Sequence, residues 1–204
     1  LNEMLGRDIS VFVIRDRDGL SSDIVDTITG IADEAEVNYH FLSNYEMESY
    51  LLVPDLIFRT LKHLNPDKEV PSSEEIHEKI GEILINTIRL AKYKYNTVLE
   101  DNLSKLAFFD GLELYRSSNE YRRKAEEIRA ANELAADFNG LRKVGMGKET
   151  LKELMWWINN DKRLKISKKA LIRQLDAEDI PDEIKLLFQE ISHAMSRLAP
   201  VGQV

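Results

Sequence analysis

The chain has 204 residues, 43% of them hydrophobic and 31% charged, a balance that suits one large globular domain or one domain with an extension. It holds no cysteine, which excludes disulfides and thiolate metal sites. No apolar run approaches the roughly 20 residues that span a bilayer. The opening Leu1-Asn2-Glu3-Met4 lacks the basic and apolar regions of a signal peptide. The expectation is a cytoplasmic protein with no membrane partner, and a first residue other than Met points to a fragment or a processed product.

The net charge of −8 argues against a generally basic nucleic-acid coat. Its distribution is uneven. Arg142, Lys143, Lys148, Lys152, Lys162, Arg163, Lys165, Lys168, Lys169 and Arg173 crowd one window, opposed only by Glu149, Glu153 and Asp161. Such a block on an acidic protein suits phosphate contacts or an ordinary solvated face.

In chain order, Ile9 to Ile14 reads as a strand, its apolar run Val11-Phe12-Val13-Ile14 fitting burial on both faces. Ser21 or Ser22 can cap a helix reaching about Glu34, with Asp23 and Asp26 near its positive end and Ile24, Ile28 and Ile31 as its apolar stripe. Val37 to Leu42 is a second strand. Ser43 to Glu46 has capping-box spacing and opens a short helix through Glu48 to Leu52. Pro54 can start a helix whose buried side is Leu56, Ile57, Leu61 and Leu64. Strand, helix, strand, helix is an α/β order.

Asn65-Pro66 to Pro71-Ser72 is a break. The spacing from Ile76 to Val98 predicts one long amphipathic helix from about Ser73. Further helices are expected over Asn102–Phe109, Ser118–Phe138 (closed by Asn139-Gly140), Lys148–Asn159, Ser167–Leu175 and Pro181–Leu198. Val144-Gly145-Met146-Gly147 is a glycine-rich joint.

Three segments suit chemistry. Asp16-Arg17-Asp18-Gly19 follows the first strand, and strand C-terminal ends are where open α/β sheets bind ligands. Two carboxylates held there repel unless a cation joins them, and all-oxygen sites suit Mg²⁺ or Mn²⁺; the competing reading is a polar turn. Glu48 follows the second strand and could supply a third carboxylate, or be a solvated helix residue. Lys148, after Gly145 and Gly147 at a helix start, can meet a phosphate, or be a surface lysine beyond a hinge. It is not in a Walker A loop, since Glu149 follows it. His40, His63, His77 and His193 lack metal-ligand spacing and read as structural or exposed. Trp156-Trp157 reads as core plus a flanking contact.

In this order, the segments resemble the C-terminal portion of the OLD (overcoming lysogenization defect) family, nucleases with an ABC-type ATPase followed by a Toprim domain. Phe12 to Asp18 resembles the Toprim strand that ends in D-x-D. Glu46-Met47-Glu48-Ser49-Tyr50-Leu51-Leu52-Val53-Pro54 is similar to the family's E-I-E-N-Y-L-L segment and following proline, with Ser49 in place of Asn. Gly147-Lys148-Glu149 resembles its G-K-E segment, and Ile166 to Ile184 its helical tail. The family's E-G-x-x-D motif and its ATPase are absent from this sequence.

The resemblance implies a partial Toprim-like α/β sheet followed by a predominantly helical region, mostly α overall: residues 1–65 the α/β segment, 66–140 a helical insertion, 141–204 a helical segment with the basic block. It implies metal-dependent cleavage of DNA phosphodiester bonds. Asp16, Asp18 and Glu48 would hold Mg²⁺ or Mn²⁺ in a two-metal site, with Asp16, Asp18 and Lys148 catalytic. Its implied partners are DNA, an upstream ATPase domain of the same protein and a second copy in a homodimer.

Two other readings stand beside it. Asp16-Arg17-Asp18-Gly19-Leu20 is close to the D-x-D-G-T of haloacid-dehalogenase-type phosphatases, whose first Asp is a nucleophile and second a general acid. That fold also needs an acidic pair after a later strand, and the sequence beyond Pro71 reads helical. The other is a non-catalytic helical interaction domain with its acids on the surface.

Overall fold

The computed structural model describes residues 11–106, 117–135 and 137–198. Strand β1 (Phe12–Arg15) and strand β2 (Asn38–Phe41) form a two-stranded parallel sheet in the register Phe12 to Asn38 and Arg15 to Phe41. Helix α1 (Ser22–Glu34) crosses between them. It buries Ile24, Ile28 and Ala32 and packs against β2. A 3₁₀ helix (Met47–Leu51) and α2 (Pro54–Leu64) follow, with Pro54 in the first turn of α2 as expected. The rest is helical: α3 (Ser73–Arg89), α4 (Lys92–Leu106), α5 (Ser118–Asn132), α6 (Phe138–Val144), α7 (Gly147–Trp156) with a π turn over Trp157–Asp161, α8 (Lys168–Arg173) and α9 (Asp182–Leu198). A small sheet followed by a helical region is therefore the architecture. No helix among the described residues is long and apolar enough to cross a membrane.

The core centres on α3. Its Ile76, Ile80, Ile83, Leu84 and Ile88 are buried, and α3 touches α2, α4, α6 and α7. Each such side chain contributes about 1.5–3 kcal/mol on burial. One continuous apolar cluster runs from Leu20 through Tyr45, Leu56 and Leu99 to Leu154 and Leu171.

Several expectations are corrected. β1 is not buried on both faces: Ile14 is 44% exposed, because only one strand pairs with β1 among the described residues. Predicted residues Ile9 and Ser10 of that strand, and Ala107 to Phe109 of a later helix, lie outside the described residues. The long helix from Ser73 breaks at Leu90-Ala91, where Ala91 N–H reaches back five residues to the Asn86 carbonyl and the chain turns into α4. α4 then runs through Asn102, expected to begin a helix, because α4 packs along its length on α5.

Helix α5 ends at Asn132, and Asn139-Gly140 closes nothing. Asp137 instead caps α6, its carboxylate accepting the Gly140 N–H at 2.7 Å. The Ser43–Glu46 capping box does not form either. Ser43 N–H donates to Glu183 on α9 at 2.7 Å, and the Glu46 carboxylate is used elsewhere. Leu64, expected on the buried side of α2, is 36% exposed at that helix's last turn.

Candidate functional site

The turn after β1 is fixed by backbone geometry. Asp18 and Gly19 both have positive φ, 51° and 75°, and Asp18 N–H donates to the Tyr45 carbonyl at 2.8 Å. Asp tolerates this left-handed region better than most side chains. Gly19 is required there twice over. A Cβ would come within 2.9 Å of both the Tyr45 ring and the Tyr95 hydroxyl oxygen. Beneath the turn, Tyr95 O–H donates to the Val144 carbonyl at 2.6 Å, and the Asn132 amide donates to the Tyr95 oxygen at 2.9 Å and to the Gly19 carbonyl at 3.3 Å. A buried polar hub thus ties the acidic turn to the joint before α7.

On this base the 3₁₀ helix and α7 meet. Gly147, the first residue of α7, lies against Ser49: a Cβ there would collide with the Ser49 hydroxyl and sit 2.7 Å from its backbone nitrogen. Lys148 N–H donates to the Glu46 carboxylate at 2.7 Å, across 102 residues of sequence. A carboxylate on the unpaired N–H groups of a helix start also meets the positive end of its dipole. From the other side, Arg142 donates through both Nε and a terminal nitrogen to the Ser49 carbonyl, at 3.2 and 3.0 Å. The E-M-E-S-Y and G-K-E segments, far apart in sequence, are one packed unit.

Four carboxylates gather around that unit. Asp16 accepts the Met47 N–H at 2.9 Å. Burial raises its carboxyl above the usual range, with the Glu48 charge adding to the effect and the Met47 bond opposing it. Burial, with Asp16 as like charge, pushes Asp18 up to about 6. Glu46 is raised by burial and by Glu48 and Asp16, against the Lys148 N–H. Glu48 is lowered, because Lys168 on α8 bonds it at 2.8 Å. Burial is the main cause of the three upward shifts, and the like charges of the neighbouring acids add to it.

The predicted residues Asp16, Asp18, Glu48 and Lys148 therefore come together. What differs is the role of Glu46, expected as a local cap and found as the acid that fixes the start of α7. Lys168 was visible only as part of the basic block, and nothing in the sequence linked it to Glu48. The donor atoms are all carboxylate oxygens, which fit Mg²⁺ or Mn²⁺ by chemistry. Among the described residues no group of three or more His, Cys, Asp or Glu side chains closes on a common point that could hold a metal ion. Salt-bridging of Glu48 to Lys168 and hydrogen bonding of Asp16 to Met47 point two of these acids at protein partners.

The remaining sequence candidates take structural places. His40 lies 3.4 Å from Glu183, which also accepts Tyr50 O–H at 2.8 Å and so pins α9 to the end of β2. His77 stacks on Phe138 with ring centres 4.1 Å apart. Trp157 packs on the core while Trp156 is exposed. Comparison with protein-family models, with curated proteins and with solved structures returns no match.

Proposed function

We propose that this chain is the C-terminal part of a metal-dependent Toprim-type nuclease that cleaves DNA phosphodiester bonds, with an ATPase domain upstream in the same protein. One observation carries the reading: the D-x-D turn, the E-M-E segment and the G-K-E helix start meet at the C-terminal end of the parallel strands. Four acids and a lysine converge there from three stretches of chain, a convergence that a merely solvated surface does not require.

Asp16 and Asp18, with Glu48, are the residues that would hold Mg²⁺ or Mn²⁺. When bound, the ion supplies charge stabilisation for an in-line displacement at phosphorus and activates water. The Met47 N–H takes one oxygen of Asp16 and leaves the other for the ion. Lys148, in the first turn of α7, carries its ammonium on a helix start held in place by Glu46 and by the close approach of Gly147 to Ser49. It offsets the charge that builds on the phosphate oxygens. Release of Glu48 from Lys168 frees the carboxylate for the cation and the lysine for the DNA backbone, so both partners of that ion pair have a use once substrate is present.

The test is nicking of supercoiled plasmid by the full-length protein with Mg²⁺, Mn²⁺ or EDTA. Metal-dependent nicking that falls at least a hundredfold in both Asp18→Asn and Lys148→Ala is the expected result. Nicking unchanged in either variant refutes the assigned role. Trapping of a phosphoenzyme at Asp16 would instead establish the phosphatase chemistry.

A further inference from the structure

Away from the acidic cluster, a cleft of about 440 Å³ opens between the C-terminal half of α2 and α8. His63, Lys165, Lys169 and Arg173 line it together with Thr60 and Ser167, and among the described residues no acidic side chain does. Its walls are built rather than incidental. The buried Asn65 at the end of α2 donates to the Lys165 carbonyl at 3.1 Å and accepts the Lys165 N–H at 2.9 Å, which fixes the approach to α8 against α2. Ser167 caps α8, its hydroxyl accepting the Ala170 N–H at 3.2 Å. Lys169 and Arg173 are four residues apart on α8 and so share a face.

Pairing separates these cations from their neighbours in the basic block. Lys162 is paired with Glu75 and Lys168 with Glu48. Arg142 is engaged by the Ser49 carbonyl. Among the described residues no ion pair joins Lys165, Lys169 or Arg173, and all three are exposed. Three cations with no ion pair among the described residues, set around one concavity, leave a positive potential that favours an entering anion. Lys168 and Lys169 are consecutive on α8, so the cleft and the Glu48 pair lie on adjoining sides of one helix.

We infer that the cleft between α2 and α8 is a phosphate-binding track, in which Lys165, Lys169 and Arg173 hold the DNA backbone on the side of α8 that adjoins the Glu48–Lys168 pair. Its phosphate chemistry stands on the cleft alone; the choice of DNA rests on the nuclease reading. The track positions the strand and leaves sequence unread, since phosphate contacts fix register without reading bases.

The test measures binding of a fluorescein-labelled duplex of about 20 base pairs to the 204-residue chain by anisotropy, from about 50 to about 300 mM salt, in EDTA so that cleavage is silent. Lys169→Ala/Arg173→Ala is expected to weaken binding about tenfold at the lowest salt and to reduce the slope of log K against log salt by about 1.8, or about 0.9 for each phosphate no longer neutralised. The control Arg122→Ala/Arg123→Ala removes the same charge from α5, where Glu100 and Glu127 compensate it, and is expected to leave the slope unchanged. An unchanged slope in the cleft variant, or an equal loss in the control, overturns the inference. So does pyrophosphate competing as well as unlabelled duplex at equal phosphate, which would make the cleft a small-anion site. Plasmid nicking by Asp18→Asn is scored separately. Loss of nicking with a wild-type salt slope in the cleft variant leaves the nuclease reading standing and the track refuted; a reduced slope without metal-dependent nicking does the reverse.

Discussion

Replacement of Gly147 by alanine tests the assembly of the site most directly. The added methyl collides with the Ser49 hydroxyl and lies 2.7 Å from its nitrogen and 3.0 Å from its Cα. Two of those three atoms are backbone, so no side-chain rotation relieves the overlap, and α7 must back away from the 3₁₀ helix. Overpacking of this kind costs about 1–3 kcal/mol. Retreat also stretches the bond from Lys148 N–H to Glu46, which is partly open to solvent and adds about 1 kcal/mol. The sum, about 2–4 kcal/mol, corresponds to a fall in melting temperature of about 4–16 °C at about 2–4 °C per kcal/mol for a chain of this size. The assay is thermal unfolding followed by circular dichroism in the helical band. Gly30→Ala in α1 and Gly81→Ala in α3 are internal controls: nothing lies within 4 Å of the added carbon at either position. Each is expected to stabilise by about 0.5–1 kcal/mol through the lost helix penalty of glycine. A Gly147→Ala protein that melts within about 2 °C of wild type, with both controls shifted upward, would refute the seating of α7 on Ser49.

Four further outcomes are expected. Asp18 titrates at about 6 when folded against 3.8 unfolded, so the folded state holds its proton more tightly and stability falls as pH rises from about 4 through about 6. Asp18→Asn, which tolerates the same positive φ, should match wild type below about pH 4 and melt higher at about pH 7; coincident curves across that range would contradict the raised carboxyl. Mn²⁺ at about 100 times its Kd should stabilise wild type by about 2.7 kcal/mol in a thermal-shift titration, and Asp18→Asn much less; equal shifts would count against Asp18 as a ligand. Arg142→Met leaves the Ser49 carbonyl without its two donors and should cost about 1–3 kcal/mol in urea unfolding. Tyr95→Phe removes the bond to the Val144 carbonyl and should cost about 1–2 kcal/mol, with a wild-type urea midpoint as the result that would dismiss the hub.

The local signals in the chain served where local physics decides. Pro54 at a helix start and the isoleucine period of α3 act within one or two turns, and both landed where their residues said they would. The D-x-D step after an apolar strand placed Asp16 and Asp18 correctly at a strand end. Misreadings fell where a distant partner displaced a neighbour. Glu46 had the right offset to cap Ser43, yet the N–H of Lys148 was the better partner, because a helix start offers several unpaired donors and a positive dipole end together. Ser43 in turn found Glu183, 140 residues away.

Apolar runs and the 3.6-residue period by themselves pointed to two short strands ahead of a helical region, since both are properties of a segment alone, whereas the parallel pairing of the strands needs both in place. Tertiary structure alone decided that the long helix after Ser73 turns at Ala91 and that Asp137 opens a helix rather than trailing one. It alone brought Glu46, Glu48, Lys148 and Lys168 beside Asp16 and Asp18, and set Lys165, Lys169 and Arg173 around one cleft with no ion pair among the described residues. Which charge meets which depends on how helices pack, and the side chains that set that packing (Gly147 against Ser49, Gly19 against Tyr45 and Tyr95) are read only when both surfaces are present.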